Sequence, residues 1–221
     1  RPAFLDPRNM MPAGDQQQHA GQVHPLSTRR EMSSIKRRTA EGDSKGPAHQ
    51  PEGHSRWMYP SQQMFYNAMK RKGWDPHEQD MPSVIGIHNA VNERAWGQVL
   101  EWEALHEGTC GGRRARLESF RGDAKKLSPR ARLLMALGYA APFDRHDWQV
   151  DRCGSSVRYV VDFYNAPAAP GQAAAIHIDL RPAVDSPQAA WDRARMWAIK
   201  AGLLPAPPAV AAAQRMLRAA R

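Results

Sequence analysis

Cysteine is scarce: Cys110 and Cys153 are the only two in 221 residues. That excludes a disulfide framework, and their wide separation excludes a Cys-x-x-Cys metal or redox motif. A single disulfide in an oxidising compartment stays open; without one, each is a buried or idle thiol rather than a nucleophile. Long apolar runs are also missing, so no membrane-spanning helix is expected. No charged-then-apolar leader opens the chain, and Arg1 stands where a Met would, which leaves processing or truncation of the start open. There is no Gly-rich phosphate loop, no His-x-x-His, no His-Glu-x-x-His and no persuasive Ser/His/Asp order. Nucleotide cradling, zinc-protease chemistry and triad hydrolysis therefore have no sequence basis. No internal repeat is present.

What is there begins with charge. Lys and Arg number 31 against 22 Asp and Glu, a formal +9. Such a chain attracts anions: nucleic acid, lipid headgroups or an acidic ligand. A nucleic-acid role is not expected, because the cations are scattered and no recognisable module accompanies them. With 18 prolines, 16 glycines and a mean hydropathy of −0.66, the chain reads as one folded body with extended appendages.

Residues 1–55 are rich in Pro, Gly, Gln, Ser, His and Arg and read as a mostly disordered arm. Within it, 25–35 has enough grip in Leu26, Met32 and Ile35 to dock. The body is expected over 56–200. Ser61 reads as the N-cap of a helix reaching about Lys72 and stopped by Gly73, with Met64, Phe65, Ala68 and Met69 on one face. Asn92 reads as the cap of a longer helix carrying Trp96, Val99, Leu100 and Ala104. Residues 107–126 read as loop with one short strand, and Ser128-Pro129 opens a helix ending at Gly138. Arg130 and Arg132, in its first turn, call for anionic partners. The period then changes. Residues 156–164 and 175–180 read as strands of an antiparallel hairpin, Asp185-Ser186-Pro187 opens a helix with Trp191 and Trp197, and 201–221 forms a Pro/Ala-rich basic tail. The class is α+β: a mainly helical body with a small late antiparallel β-sheet and a disordered N-terminal arm.

The most informative residue is His88, in the run Val84–Trp96. Apolar Ile87 precedes it and Asn89, Asn92 and Glu93 follow, the surroundings of a neutral imidazole ligand whose second nitrogen is oriented by a partner. By itself this pattern more often describes a hydrogen-bonded core histidine. The piece Pro142–Cys153 places Asp144, Arg145, His146, Asp147 and Trp148 in succession; His146 there is an acid/base or ligand residue, or Asp144, Arg145, Asp147 and Arg152 form a salt-bridge knot around a turn. One such histidine, many flat aromatics and several arginines together match a pocket for a flat apolar dianion such as heme.

Eight ordered blocks carry a resemblance: 57–69 (WMYPSQQMFYNAM), 87–96 (IHNAVNERAW), 102–106, 128–132, 142–148 (PFDRHDW), 152–154, 157–164 and 179–186, with looser likeness in 5–9 and 26–31. Together they resemble the mitochondrial holocytochrome c synthases, or cytochrome c-type heme lyases, densely over about 57–197. The resemblance implies covalent attachment of heme b to apocytochrome c (or c1) in the mitochondrial intermembrane space, by a lyase peripheral on the anionic lipid surface of the inner membrane. It implies His88 as axial iron ligand, with Asn89 and Glu93 as catalytic neighbours. Trp57, Tyr59, Pro60, Ser61 and Phe65 then shape the heme pocket, joined by Arg145 and His146. A non-catalytic heme-binding chaperone is the alternative. This chain departs from the family in three ways: its arm has no Cys-Pro motif, Cys110 stands alone where a Cys-x-Cys is common, and Phe65-Tyr66 replaces Phe-Trp.

Overall fold

The computed structural model describes residues 5–6, 11–12, 16–38, 50, 54–110, 114–124, 126–167 and 175–219. The rest of the expected arm lies outside the described residues. The chain divides into two compact units, Arg1–Glu93 and Arg94–Arg221, and the division falls inside one helix. The class is α+β, as expected.

In the first unit, β1 (Leu5–Asp6) pairs with β2 (Met11–Pro12), and β3 (Met32–Lys36) runs antiparallel to β4 (Arg56–Met58). The docking expected of 25–35 thus takes the form of a strand. Ile35 is buried as anchor while Met32 stays exposed. The Ser33 hydroxyl donates to the Trp57 carbonyl at 2.6 Å, and the Gln50 amide clamps both backbone groups of Met58.

Helix α1 (Gln62–Arg71) starts where Ser61 Oγ accepts from Met64 N at 3.2 Å and stops before Gly73, whose φ of 84° suits a residue without Cβ. Its buried face is not the one the apolar pattern suggests. Gln63, Met64, Tyr66 and Asn67 point inward, and Phe65, Ala68 and Met69 are only half-buried. The amides explain this: Gln22, Gln63 and Asn67 hydrogen-bond one another, and Asn67 reaches the Gln17 carbonyl, so polar groups are buried without loss.

Helix α2 (Met81–Glu103) begins twelve residues earlier than a cap at Asn92 would put it, and corrects that expectation. Pro82 suits a first turn, and Asn92 lies mid-helix with its side chain donating to the His88 carbonyl at 2.7 Å. His88 therefore sits on a rigid helix, not ahead of one.

The second unit is built on a four-stranded antiparallel sheet in the order β5 (Arg116–Gly122), β6 (Asp144–Arg152), β7 (Ser155–Ala166), β8 (Ala175–Pro182). The expected hairpin is β7–β8, with Tyr164 opposite His177. The 142–153 piece, where the salt-bridge alternative placed a turn, holds the interior strand β6. Its reversal into β7 is two residues long. Cys153 (φ 55°) and Gly154 (φ 98°) both sit left-handed, the geometry of a type I′ turn. Cys153 is disulfide-bonded.

One sheet face is apolar, with Trp148, Val150, Tyr159, Val161, Phe163, Ile178 and Leu180 buried. The other is laced by ion pairs. Asp162, fully buried, receives Arg181 at 2.6 Å and the hydroxyl of Ser128, which also caps α3 (Pro129–Ala136). Arg130 meets Asp179 at 2.9 Å, the anionic partner its position called for.

Helix α4 (Pro187–Lys200) is capped by Ser186 and buries Ala189, Asp192, Met196 and Ile199. Its opposite face is also apolar: Ala190, Trp191, Ala194 and Trp197 are exposed, the tryptophans at 63% and 67%. The helix ends in a Schellman motif, with Gly202 N donating to Ile199 O and Leu203 N to Ala198 O. Leu203 in that turn is exposed as well. Helix α5 (Pro208–Ala219) follows; Gly97 of α2 leaves room for Leu217, whose Cδ2 would stand 2.8 Å from any Cβ there.

Candidate functional site

Half-buried His88 is the centre of a constellation drawn from three segments of the first unit. Its ring lies 4.8 Å from that of Phe65 on α1 and 5.8 Å from that of Tyr59 just after β4, the latter edge-on at 84°. Asn89 Oδ1 stands 3.1 Å from His88 Nδ1, and Asn89 Nδ2 donates to Glu31 Oε2 at 3.0 Å.

One helical turn further, Glu93 accepts from Tyr59 Oη at 3.0 Å, from Ser34 N at 2.8 Å and from the Ser34 hydroxyl. Asn89 and Glu93 are four apart, so both face the β3 segment. Burial, reinforced by the charge and hydrogen bond of Glu93, pushes the Tyr59 phenol well above its ordinary value and keeps it a donor. Arg30 locks the approach by donating to the carbonyls of Tyr59 (2.9 Å) and Met58 (3.0 Å).

The expected site residues thus separate. His88, Asn89, Glu93, Tyr59 and Phe65 come together. Trp57, the middle residue of β4, is buried at 4% exposure, Ser61 is spent on the α1 cap, and Pro60 between them is half-buried. Arg145 and His146 belong to the second unit. Arg145 forms a double contact with Asp147 (2.8 and 3.1 Å to its two oxygens) and donates to the Lys126 carbonyl, while Asp147 also receives Arg158, which grips Asp185. Of the expected knot only the Arg145–Asp147 pair forms, along a strand; Asp144 faces His146, and Arg152 pairs with Glu103 and Asp192. His146 is on the apolar face, edge-on to Phe163 at 5.4 Å, with Nε2 3.2 Å from Asp144 and Nδ1 buried without a hydrogen bond among the described residues. Gly122 beside it has no room for a Cβ, which would fall 2.9 Å from His146 Nε2.

Two participants escaped the sequence pattern: Glu31 and Ser34. Both lie in the compositionally polar arm, and only the Leu26–Glu31 block hinted at either. Among the described residues no group of His, Cys, Asp and Glu could hold a bare metal ion. A single imidazole between aromatic rings instead suits iron already held by a macrocycle, which needs one axial base and apolar walls.

The chain matches the cytochrome c/c1 heme lyase family model over residues 2–197, and it belongs to that family. A relative in Schizosaccharomyces pombe, named provisionally as a holocytochrome-c1 synthase, is 50% identical over 79% of this chain and 77% of its own. The holocytochrome c-type synthase of Gallus gallus is 48% identical over 87% of this chain and 67% of its own. The holocytochrome-c synthase of Saccharomyces cerevisiae is 35% identical over 86% and 74%. No solved structure matches the chain.

Proposed function

We propose that this chain is a holocytochrome c synthase: it takes heme b as substrate and joins it to apocytochrome c or c1 through thioethers. The observation that carries the reading is His88, held on a helix between Phe65 and Tyr59 with Nδ1 engaged by Asn89, in a chain of the heme lyase family.

His88 binds the iron on one side of the substrate heme. The apocytochrome's Cys-x-x-Cys-His segment approaches the other, its histidine taking the second axial position. Each thiol S–H then adds across a heme vinyl C=C: sulfur bonds to one carbon, the proton goes to the other, and no oxidant is consumed. The enzyme contributes proximity and orientation, which substitute for a nucleophile of its own. Asn89 and Glu93 hold the ligand helix against β3. Arg145 and His146, engaged as described, serve the frame of the second unit rather than the heme.

We place the enzyme in the mitochondrial intermembrane space, peripheral on anionic lipid. Among the described residues no helix is long and apolar enough to cross a membrane. The outward Trp191/Trp197 face of α4 is flanked by Arg193, Arg195 and Lys200, and its one carboxylate, Asp192, is buried. Tryptophan beside cations suits a headgroup boundary.

Co-expression with apocytochrome c in cells lacking another maturation system tests the function. The wild type is expected to yield a heme-stained cytochrome band on a denaturing gel, and His88→Ala none. A band with both variants would discard His88 as ligand. A red protein with no cytochrome band would favour a heme chaperone.

A further inference from the structure

A carboxylate only accepts hydrogen bonds, whereas an asparagine amide presents a donor on one side and an acceptor on the other. Glu31 Oε2 lies 3.0 Å from the Asn89 amide, which must therefore turn its NH2 toward Glu31. Its oxygen is then the atom left facing His88 Nδ1, at 3.1 Å. An acceptor there selects the tautomer with the proton on Nδ1 and the lone pair on Nε2. Asn89 is 8% exposed, so its amide is held by these neighbours more than by water.

Glu31 is itself fixed from both sides. Its carbonyl accepts from Tyr59 N at 2.8 Å, the following residue pairs Met32 with Met58, and Arg30 before it grips the carbonyls of Met58 and Tyr59. A solvent-exposed acid in the N-terminal segment is thus delivered to one point by the β3–β4 ladder.

We propose that Glu31 is a positioning residue for His88: through Asn89 it fixes the Nδ1–H tautomer and the ring orientation that present Nε2 to the heme iron. This rests on the reading of His88 as axial ligand. Partners one step behind a ligating histidine commonly alter metal affinity by about 10- to 100-fold. Glu31 does so at one further remove, and the lower figure is expected.

The test exploits the chemistry of the pair. Glu31→Gln is isosteric but introduces a donor, which frees the Asn89 amide to turn over and present NH2 to His88. The exchanged double variant, E31Q with N89D, restores an acceptor-only group beside His88, to which the new amide at position 31 donates. Long-range 1H–15N spectra of the full-length apoprotein report which His88 nitrogen carries the proton, and heme titration reports affinity. The wild type is expected to show Nδ1–H. E31Q should show a mixture with the Nε2–H form and bind heme about tenfold more weakly, and the double variant should return to Nδ1–H and near-normal affinity. An Nε2–H wild type, an E31Q spectrum unchanged from wild type, or a double variant that fails to recover would each overturn the proposal. If E31Q does not fold, Glu31→Ala, which removes the acceptor that holds the Asn89 amide, decides by the same tautomer signal: an unchanged Nδ1–H overturns the proposal. His88→Ala runs alongside: unchanged heme binding there would sink the ligand assignment, while the tautomer spectra would still judge Glu31.

Discussion

At the scale of single residues, Glu93 is the most heavily engaged side chain of the site. Its oxygens are taken by Tyr59 and by two groups of Ser34, so it acts as a brace between helix and strand. Tyr59→Phe deletes one arm of that brace and leaves Ser34 in place. Chemical denaturation is expected to show a loss of about 1.5 kcal/mol, the range for a hydrogen bond to a charged acceptor. The cytochrome yield should fall without vanishing. Because burial and Glu93 raise the Tyr59 phenol, it should contribute no tyrosinate absorbance at about pH 10, where free tyrosine ionises. The alkaline titration curves of wild type and Tyr59→Phe should therefore coincide there; a missing transition in the variant would contradict the geometry. His88, Asn89, Glu93, Tyr59 and Phe65 were all legible in the sequence as ligand-type or aromatic residues. Glu31 and Ser34 were not. Their role arises from hydrogen bonds across 58 and 59 positions, which no local pattern encodes.

At the scale of elements, the legible parts were those with local signals: Ser61, Ser128 and Ser186 as caps, and the β-branched runs of β7 and β8. The start of α2 was obscured because Asn92 resembles a cap in sequence and instead bonds back to His88 O. Strand β6 was obscured by its charges. Arg145 and Asp147 are two apart, so they share one side of a strand and pair there, while Trp148 and Val150 turn to the core on the other. Helix α4 carries the prediction proper to this scale. If its outward face rests on lipid, replacing Trp191 and Trp197 by Ser should abolish co-sedimentation with anionic vesicles and leave the thermal unfolding midpoint unchanged, since both rings are exposed. Unaltered sedimentation would remove α4 from the membrane contact; a drop in oligomeric mass instead would assign the face to a second copy of the chain.

At the scale of the whole molecule, the second unit sets a largely buried ionic cluster beside its apolar packing. Arg152 reaches Glu103 at 2.7 Å and Asp192 at 3.3 Å, Asp192 also accepts from His106 at 2.8 Å and from Gln188, and Tyr159 donates to Glu103 at 2.5 Å. Burial opposes ionisation of Asp192, but the hydrogen bonds from His106 and Gln188 and the charge of Arg152 outweigh it, holding its carboxyl below the ordinary range. A depressed carboxyl contributes stability that is fully present above its unfolded value, about pH 4 for an aspartate, and is lost as pH falls through the folded one. Urea denaturation against pH should therefore show full stability at neutrality and a decline below about pH 4. Asp192→Asn should lose about 2 kcal/mol at neutral pH, the range for hydrogen bonds to a charged group, because it removes one of the two carboxylates that Arg152 meets, and should flatten the acid decline. An unchanged acid limb would mean other carboxylates govern it.

The strand β3 has one more consequence. Its pairing with β4 and the bonds of its segment to Asn89 and Glu93 gather residues separated by 58 and 59 positions, so the constellation around His88 exists only once a long loop of chain has closed. Closing such a loop is entropically unfavourable but only weakly dependent on its length. With His88 as the proposed ligand, heme capture becomes a readout of long-range folding: the colour of the bound pigment should appear in refolding experiments no earlier than the β3–β4 ladder does, and a chain still being assembled would remain colourless until the last contact is made.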